Sequence, residues 1–524
     1  MTETTAHRDE SGGRPGDTAG QPAGKASASR LAWLDALRGF AALCVVFDHG
    51  STLLLLPVRT YLYHWFNLGQ YGVFVFFLVS GYIVPASLER KGSVRGFWVS
   101  RAFRLYPLFV LAVVASAVAY ETGHGVFATA GAHPFTAVLS WLFMLQNLNT
   151  GLNVPVVTWT LSYEMVFYLL LAALFSWGVH RRSGWYATAF AVGAVTLGGV
   201  LPMSALSHWS KGPGHGPLLL SGLTDALILA GLLLAAGSRT WPARAGASLA
   251  AVTALVLMTF NQNYPYPWSG CVILALMFSG TLIYRAEHRQ VSRLTAGAVV
   301  TGVLALATAA GLWHGGAHYG HAWQLQWVTS VLLAGATFGA GLAARRLRVP
   351  RWCAWLGMIS YSVYLLHPLV FDAYRTIPAV HRRYSLPDQV LVFAVLLAVI
   401  IALSGATFYL VEKPMQRLGR WVAARAGEPR NGAGTGSGDG AGTGSGDGAG
   451  TGSGDGAGTG SGDGAGTGSG DGAPPGAANG AATGAGNGTA SPGVAGLAGA
   501  SPPAPASRSA SSSTAVAGGS GGSP

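Results

Sequence analysis

The sequence predicts an all-α integral membrane protein, a polytopic bundle of about 10 to 12 transmembrane helices. Two observations lead to this prediction. Half of the 524 residues (50%) are hydrophobic and only 10% are charged, whereas a soluble domain carries about 25% charged residues. Apolar runs of roughly 17 to 23 residues also recur along the chain, and each is long enough to cross about 30 Å of hydrocarbon.

About twelve apolar segments qualify as candidate spans by their length and hydropathy. In chain order they cover residues 33–56, 70–88, 104–121, 157–178, 185–204, 217–236, 246–260, 268–284, 295–313, 325–343, 354–375 and 388–410. The short connection Asn261–Pro267 leaves a second interpretation open, in which the two segments beside it are interfacial pieces of a hairpin. The expected number of spans is therefore a range.

The cations predict which side of the bilayer each loop faces, because cytoplasmic loops are enriched in Lys and Arg. With the N-terminus inside, the inner loops hold most of the arginines, and the last span ends beside Lys413, Arg417 and Arg420. The predicted outer loops contain few cations, namely Arg59, Lys211, Arg382 and Arg383. We therefore expect both termini in the cytoplasm and a multi-pass protein of the plasma membrane.

Charge and cysteine content argue against several other classes of protein. The formal net charge is +12, but the cations fall in short clusters between apolar segments, so no nucleic-acid partner is expected. Cys44, Cys271 and Cys353 show no C-x-x-C spacing, which predicts neither a disulfide framework nor a metal site. The first 30 residues lack the apolar core of a signal peptide, so we expect the first span to be an uncleaved anchor.

Three domains are expected: a disordered cytoplasmic segment 1–30, a transmembrane domain 31–420 and a low-complexity tail 421–524. From Ala433 to Gly472 the tail repeats the eight-residue unit Ala-Gly-Thr-Gly-Ser-Gly-Asp-Gly. Such a composition cannot bury enough apolar surface to offset the entropy of ordering, so the tail is predicted to be a disordered linker. No strand precedes its glycines, and they do not predict a phosphate-binding loop.

Ionisable side chains inside predicted spans are functional candidates, because burying them in hydrocarbon is costly. Arg38 and His49 are eleven residues apart in the first span, which is about three helical turns and places them on one face. Counted at 1.5 Å per residue from the inner face, His49 lies roughly 24 Å up and His367 about 20 Å. A lone helical histidine is more often structural than catalytic, and this alternative applies to His367.

Glu164 lies near the outer end of the fourth span, and counting inward from the outer face places it at the depth of His49 and His367. These three titratable groups would then converge on one layer in the outer half of the membrane. The alternatives for Glu164 are a partner for a cation and a helix cap. Asp48, the neighbour of His49, is a further candidate in this layer.

Arg101 and Arg104 lie near the inner end of the third span, three residues apart and therefore adjacent on one helix face. Two such guanidinium groups suit bidentate binding of phosphates. The alternative is anchoring of the span by the positive-inside rule. In the second span, the small residues Ser80 and Gly81 predict close helix packing.

These clusters together resemble the acyltransferase-3 family of integral membrane acyltransferases, which includes bacterial O-antigen acetylases and macrolide acyltransferases. The resemblance covers about Arg30 to Arg420 and rests on six motifs in the family's order. They are Leu34-Asp35-x-x-Arg38-Gly39 through His49, Phe77-x-x-Ser80-Gly81-Tyr82, Arg101-x-x-Arg104-x-Tyr106-Pro107, Trp159-x-Leu161-x-x-Glu164, Ser360-Tyr361-Ser362-x-Tyr364-x-x-His367 and Val411-Glu412-x-Pro414. One motif alone is weak, whereas six in order are specific.

The resemblance implies an O-acyltransferase that moves an acyl group, with acetyl as the first expectation, from cytoplasmic acyl-CoA to a hydroxyl of a sugar-containing acceptor. It implies that Arg38 and His49 form a pair needed for activity and that Arg101 and Arg104 contact the acyl-CoA. Acyl-CoA is then a donor substrate, and no permanently bound cofactor is expected. An envelope polysaccharide, a glycolipid and a glycosylated natural product all stay open as acceptors.

His49 is the expected general base, with Asp48 or Glu164 as the group that orients it. Direct transfer is expected, because no nucleophile-elbow motif, a G-x-S-x-G between a strand and a helix, signals an acyl-enzyme. The competing interpretation is a multi-span transporter or flippase of a glycolipid, in which the buried ionisable groups form a proton relay or substrate pathway. Consumption of a thioester discriminates between the two. A scaffold protein would explain the tail but not the buried polar groups.

Overall fold

The computed structural model describes residues 23–122, 134–149, 152–209, 216–237, 241–262, 264, 266–377 and 385–425. Every regular element within these ranges is a helix and none is a strand, which confirms the predicted all-α class. Most of the predicted segment 1–30 and nearly all of the tail 421–524 lie outside the described residues, as do Lys211, Arg382 and Arg383. The expectations for those parts stay predictions.

The helices follow one another with short connections. The first nine are α1 (Ala23–Leu53), α2 (Leu56–Leu62), α3 (Leu68–Lys91), α4 (Val94–Glu121), α5 (Pro134–Leu142), α6 (Gln146–Asn149), α7 (Trp159–Ser176), α8 (Ser183–Leu197) and α9 (Ala205–Trp209). The remaining ones are α10 (Gly216–Gly237), α11 (Trp241–Phe260), α12 (Pro267–Glu287), α13 (Arg293–Ala310), α14 (Gly316–Ala343), α15 (Arg351–Met358), α16 (Ser360–Arg375), α17 (Leu386–Thr407) and α18 (Lys413–Arg425).

In the described ranges, nine helical segments are long and apolar enough to cross a membrane, and the number rises to 11 when each bent pair counts as one span. The bent pairs are α1 with α2, at 120°, and α15 with α16, at 66°. This result agrees with the predicted polytopic bundle. Both α11 and α12 are among these nine segments, which supports two spans over the alternative of a hairpin of interfacial pieces.

The one candidate span that is not among these 11, residues 185–204, corresponds to α8, which has only 15 residues and is therefore about 22 Å long. The predicted segment is too long at its C-terminal end, because the helix stops at Leu197. α8 nevertheless runs antiparallel beside α12, since Gly184 lies against Leu282 and Gly198 against Trp268.

The centre of the bundle contains α3, α7 and α12, whose spanning segments are mostly buried, whereas α10, α13 and α17 are largely exposed. α3 and α12 cross so closely that a Cβ atom at Gly81 would lie 1.9 Å from the carbonyl oxygen of Met277. This contact confirms the predicted close packing at Ser80 and Gly81, because a residue larger than glycine would push the two helices apart.

The segment before α7 lies inside the bundle. All four residues of α6 are buried, and Val157 and Thr158, just before α7, are 2% and 0% exposed. Polar side chains satisfy this buried backbone, as where Nδ2 of Asn261 donates to the carbonyl oxygen of Leu148 at 2.8 Å. As a result, α7 begins within the protein and not at its surface.

One end of the bundle, where α3 ends and α4 begins, is called here the basic end. Arg285 of α12 is fully buried there and donates from Nη2 to Oε1 of Glu89 at 2.7 Å and to the carbonyl oxygen of His180 at 3.1 Å. These bonds connect α3, α12 and the loop between α7 and α8.

Candidate active site

A cleft toward the basic end brings together the three arginines that the sequence singled out. Arg38 comes from α1, and Arg101 and Arg104 come from the first third of α4. The other walls of the cleft come from α3, α7 and α16. Three guanidinium groups on one cavity wall make a site suited to an anion.

The three arginines of this cleft form no ion pair among the described residues. Arg101 is 5% exposed, and its Cζ lies 5.4 Å from the ring centre of Phe97 and 5.1 Å from that of Tyr168. Its Nε has no hydrogen-bond partner. Aromatic faces stabilise a guanidinium without removing its charge, so the charge stays available to a ligand.

Glu164 lines this same cleft. Its Oε1 accepts hydrogen bonds from the Ser80 hydroxyl, at 3.2 Å, and from the hydroxyl of Tyr168. The expected convergence of Glu164 with His49 and His367 is therefore wrong, and the carboxylate belongs with the arginines.

The position of α7 explains this difference. Counting from the outer face assumes that α7 starts at the membrane surface. The residue just before α7 lies inside the bundle instead, because the carbonyl oxygen of Val157 accepts from the Tyr364 hydroxyl at 3.1 Å. Glu164 follows seven residues later, about 10 Å farther along the helix toward the basic end.

His49 of α1 and His367 of α16 contact each other. Nδ1 of His49 and Nε2 of His367 are 3.1 Å apart, and the ring centroids are 5.0 Å apart. His367 is 0% exposed, and the His49 side chain is partly buried. The structure therefore joins two predicted site residues whose numbers differ by 318.

Hydrogen-bonding partners assign the tautomers of this pair. Nδ1 of His367 lies 3.1 Å from the carbonyl oxygen of Val363. A carbonyl oxygen only accepts, so in the neutral ring the proton is on Nδ1 and the lone pair is on Nε2. Nδ1 of His49 must then donate to Nε2 of His367. This arrangement leaves Nε2 of His49 as the nitrogen able to accept a proton.

Two aromatic rings connect the histidine pair with the arginine cleft. The ring of Phe76 is 5.4 Å from Cζ of Arg38 and stacks on the ring of Tyr364, with centroids 6.1 Å apart. The Tyr364 ring is in turn 6.1 Å from that of His367. Arg38 and His49 stand about 16 Å apart along α1. Both therefore face the interior, and α1 forms a common wall of the two sites.

Asp48 has other partners. Its Oδ1 accepts from the hydroxyl of Tyr63 at 2.8 Å and pairs with Nη1 of Arg59 at 3.4 Å. In the described part of the chain, no hydrogen bond joins Asp48 to His49. The Asp48 carboxylate therefore fixes the bend between α1 and α2, and the group in direct contact with His49 is His367.

Comparison with known proteins places the chain in a family. The family model described as "Acyltransferase domain", that of the acyltransferase-3 proteins, matches residues 31–409. The chain belongs to the acyltransferase-3 family. This finding confirms the resemblance on which the sequence-based prediction rests. No solved structure matches the chain.

Several curated relatives match parts of this acyltransferase-3 chain. Acyltransferase MdmB of Streptomyces mycarofaciens is 38% identical over 149 residues, 27% of this chain and 38% of its own. Nodulation protein 10 of Rhizobium leguminosarum bv. viciae is 31% identical over 176 residues, 30% of this chain and 48% of its own. The "Putative peptidoglycan O-acetyltransferase YrhL" of Bacillus subtilis (strain 168) is 27% identical over 225 residues, 40% of this chain and 33% of its own. The chain thus matches between a third and a half of the length of these relatives.

The last two of the acyltransferase-3 motifs, those that contain Ser362 and Glu412, are in contact in the fold. The hydroxyl of Ser362 on α16 donates to Oε1 of Glu412, which lies directly before α18. Both side chains are buried, at 0% and 2% exposed. This contact fixes the half of α16 that precedes His367.

Several residues that complete these sites have no role predicted from the sequence. Tyr168 holds Glu164, while Phe76 and Tyr364 connect the two sites. Helical spacing gives a signal for two of them, because Tyr168 follows Glu164 by four residues and Tyr364 precedes His367 by three. The position of Phe76 depends on how α3 packs, and no local pattern reveals it.

Proposed function

We propose that this acyltransferase-3 chain is an O-acyltransferase that moves an acyl group, first of all acetyl, from cytoplasmic acyl-CoA to a hydroxyl of a sugar-containing acceptor. The observation that carries the proposal is the hydrogen bond between His49 and His367, which leaves Nε2 of His49 as a free base. The names of acyltransferase MdmB and of YrhL support acyl and O-acetyl transfer.

The arginine cleft is the proposed donor site. Arg38, Arg101 and Arg104 contribute three positive charges against the single carboxylate of Glu164 that also lines the cleft. A coenzyme A thioester carries phosphates at one end, which guanidinium groups bind well. The positive-inside pattern supports a cytoplasmic location for this basic end, on the side where acyl-CoA is made, and the plasma membrane is the proposed location of the protein.

The distance between the two sites suits such a donor. Arg38 and His49 are about 16 Å apart on α1, and a coenzyme A thioester carries its reactive carbonyl at the end of a long, flexible arm. With its phosphates on the arginines, the arm would pass Phe76 and Tyr364 and present the thioester to His49. The acceptor would then enter from the opposite end of the bundle.

The proposed reaction is direct acyl transfer. Nε2 of His49 takes the proton of the acceptor hydroxyl while the hydroxyl oxygen attacks the thioester carbonyl carbon. The carbon–sulfur bond then breaks, and the proton on His49 passes to the leaving sulfur, which regenerates the neutral pair. Nδ1 of His49 donates to His367 throughout, so His367 holds the imidazole in the orientation and tautomer that the reaction needs.

The test follows the thioester and the product in one reaction. Purified full-length protein in lipid vesicles receives acetyl-CoA and simple methyl glycosides, and we expect one ester formed per thiol released. His49→Ala should slow this reaction by about 10²- to 10⁴-fold. His288→Ala is the matched control, because His288 is exposed and lies outside both sites.

Two results would contradict the proposal. Transfer at the wild-type rate by His49→Ala would remove His49 from the role of base. Movement of a glycolipid across the vesicle without consumption of any thioester would favour a transporter.

A further inference from the structure

A group of buried amide and hydroxyl side chains lies around the start of α7 and has no role in the mechanism above. Gln146 and Asn149 come from α6, and Thr158 lies just before α7. The three residues are 0%, 2% and 0% exposed, respectively. Each has one side-chain oxygen without a hydrogen-bond partner: Oε1 of Gln146, Oδ1 of Asn149 and Oγ1 of Thr158. A buried polar atom without a partner is costly, so each of these oxygens would gain from accepting a hydrogen bond.

The identity of the free atoms is fixed by the bonds that the amide nitrogens make. Nε2 of Gln146 donates to the carbonyl oxygen of Thr158 at 2.9 Å, and a carbonyl cannot donate in return. Nδ2 of Asn149 lies 3.2 Å from the hydroxyl of Thr224, whose proton is already directed to the carbonyl oxygen of Leu220 at 2.8 Å. In both amides the nitrogen is therefore the bonded atom, and the free atom is an oxygen that only accepts.

Hydrogen bonds connect two of these groups to each other, and Tyr364 connects their segment to the histidine pair. Gln146 and Asn149 are three residues apart and lie on one face of α6, and Gln146 is hydrogen-bonded to Thr158. Val157, the residue before Thr158, accepts from the hydroxyl of Tyr364 at 3.1 Å. The Tyr364 ring is 6.1 Å from that of His367. Tyr364 thus links the segment that holds Thr158 to the histidine pair.

We propose that Gln146, Asn149 and Thr158 form the acceptor-binding subsite, and that it takes a polyhydroxylated molecule whose hydroxyl groups donate to these oxygens. The two amides can only accept, so the ligand must bring several donors, as a sugar ring does and an apolar alcohol does not. This inference rests on the proposed function, since it assigns the acceptor to the side of the histidine pair away from the arginine cleft.

The experiment combines protein variants with acceptor variants. Full-length wild-type protein and Gln146→Leu are assayed with acetyl-CoA and with methyl β-glucoside or its monodeoxy forms as the probe acceptors. For the wild type, removal of the one hydroxyl that Gln146 binds should raise the KM for the acceptor roughly three- to tenfold. In Gln146→Leu the KM for the complete glucoside should rise by a similar factor. Removal of that same hydroxyl from the acceptor should then raise the KM no further.

The matched control is Gln262→Leu. Gln262 is also a fully buried amide with an unpartnered Oε1, but that oxygen packs against Gly270, where a Cβ atom would lie 2.7 Å from it. We expect its acceptor KM to stay at the wild-type value. The KM for acetyl-CoA, measured in the same reactions, separates loss of acceptor binding from general misfolding, because a misfolded site would raise both KM values.

The possible outcomes are distinct. The inference would be overturned if every deoxy acceptor raised the KM by the same factor in wild type and in Gln146→Leu. A structural water would then be the partner of these oxygens. Wild-type protein that hydrolyses acetyl-CoA but acylates no glucoside would also overturn it. That result would not contradict the proposed donor site. Wild-type protein that consumes no thioester at all would overturn the proposed function itself.

Discussion

Nδ1 of His49 and Nε2 of His367 are 3.1 Å apart, although 318 positions separate the two residues in the sequence. The contact couples α1, which also carries Arg38, to α16, which carries Tyr364. Because His367 is anchored to the carbonyl oxygen of Val363, its free nitrogen determines which nitrogen of His49 is basic. The geometry therefore makes His367 a positioning residue for the proposed base.

Substitution of His367 should separate a positioning role from a packing role. His367→Leu removes the acceptor for Nδ1 of His49, so the tautomer is no longer fixed, and we expect kcat to fall about tenfold to a hundredfold with little change in the KM for acetyl-CoA. His367→Gln can place a carbonyl oxygen near the same position and should recover part of the rate. Equal activities of the two variants would argue against this role.

The proposed donor site predicts a dependence on the nucleotide part of the donor. Arg104→Gln removes a charged hydrogen-bond donor from the cleft, so the KM for acetyl-CoA should rise about tenfold. Acetyl-pantetheine carries the same thioester without phosphates, and its KM should change less than about twofold.

Arg95→Gln on the same helix is the control for this experiment, because Arg95 is exposed and does not line the cleft. We expect wild-type KM values with both donors. A matching loss with acetyl-pantetheine in Arg104→Gln would mean that Arg104 does not contact the phosphates.

His180 at the basic end predicts a dependence of stability on pH. Burial lowers the pKa of His180, an effect that Glu89 partly offsets and that Arg285 and Arg181 increase. The unfolded chain therefore takes up the proton more readily, so the folded state should lose stability as the pH falls below the usual imidazole value of about 6.5. Melting temperatures of the purified protein between pH 7.5 and pH 5 measure this loss.

The variant His180→Phe should reduce that loss, because phenylalanine does not titrate and can still contact Phe175, whose ring centroid is 4.9 Å from that of His180. His288→Gln, at an exposed position, should keep the wild-type dependence. An unchanged profile in His180→Phe would assign the loss of stability to another group.

The tail should be dispensable for the reaction. A chain that ends at residue 429 keeps all helices that contribute to the two sites and removes the Gly-rich repeats. We expect transfer rates within about twofold of the wild type, because the composition of the repeats predicts a segment that adds no fixed contacts. A loss of more than about tenfold in a folded truncated protein would show that the tail takes part in the reaction.

The span pattern and the site residues differ in how far local sequence determines them. Each span is a run of apolar residues whose length must match the bilayer, so its approximate position can be read locally. The depth of Glu164 cannot be read in this way. It depends on the burial of α6 and of the residues before α7, which is a consequence of packing against Asn261 and Tyr364.

By itself, the sequence determined the helical class, the number of spans within a narrow range, and the ionisable residues that are too costly to bury without a purpose. The tertiary structure alone decided the partners of these residues. It placed Glu164 with the arginines, Asp48 with Arg59, and His49 with His367. The physical reason is that helix periodicity fixes the face on which a side chain lies, whereas the partner on that face depends on how distant helices cross.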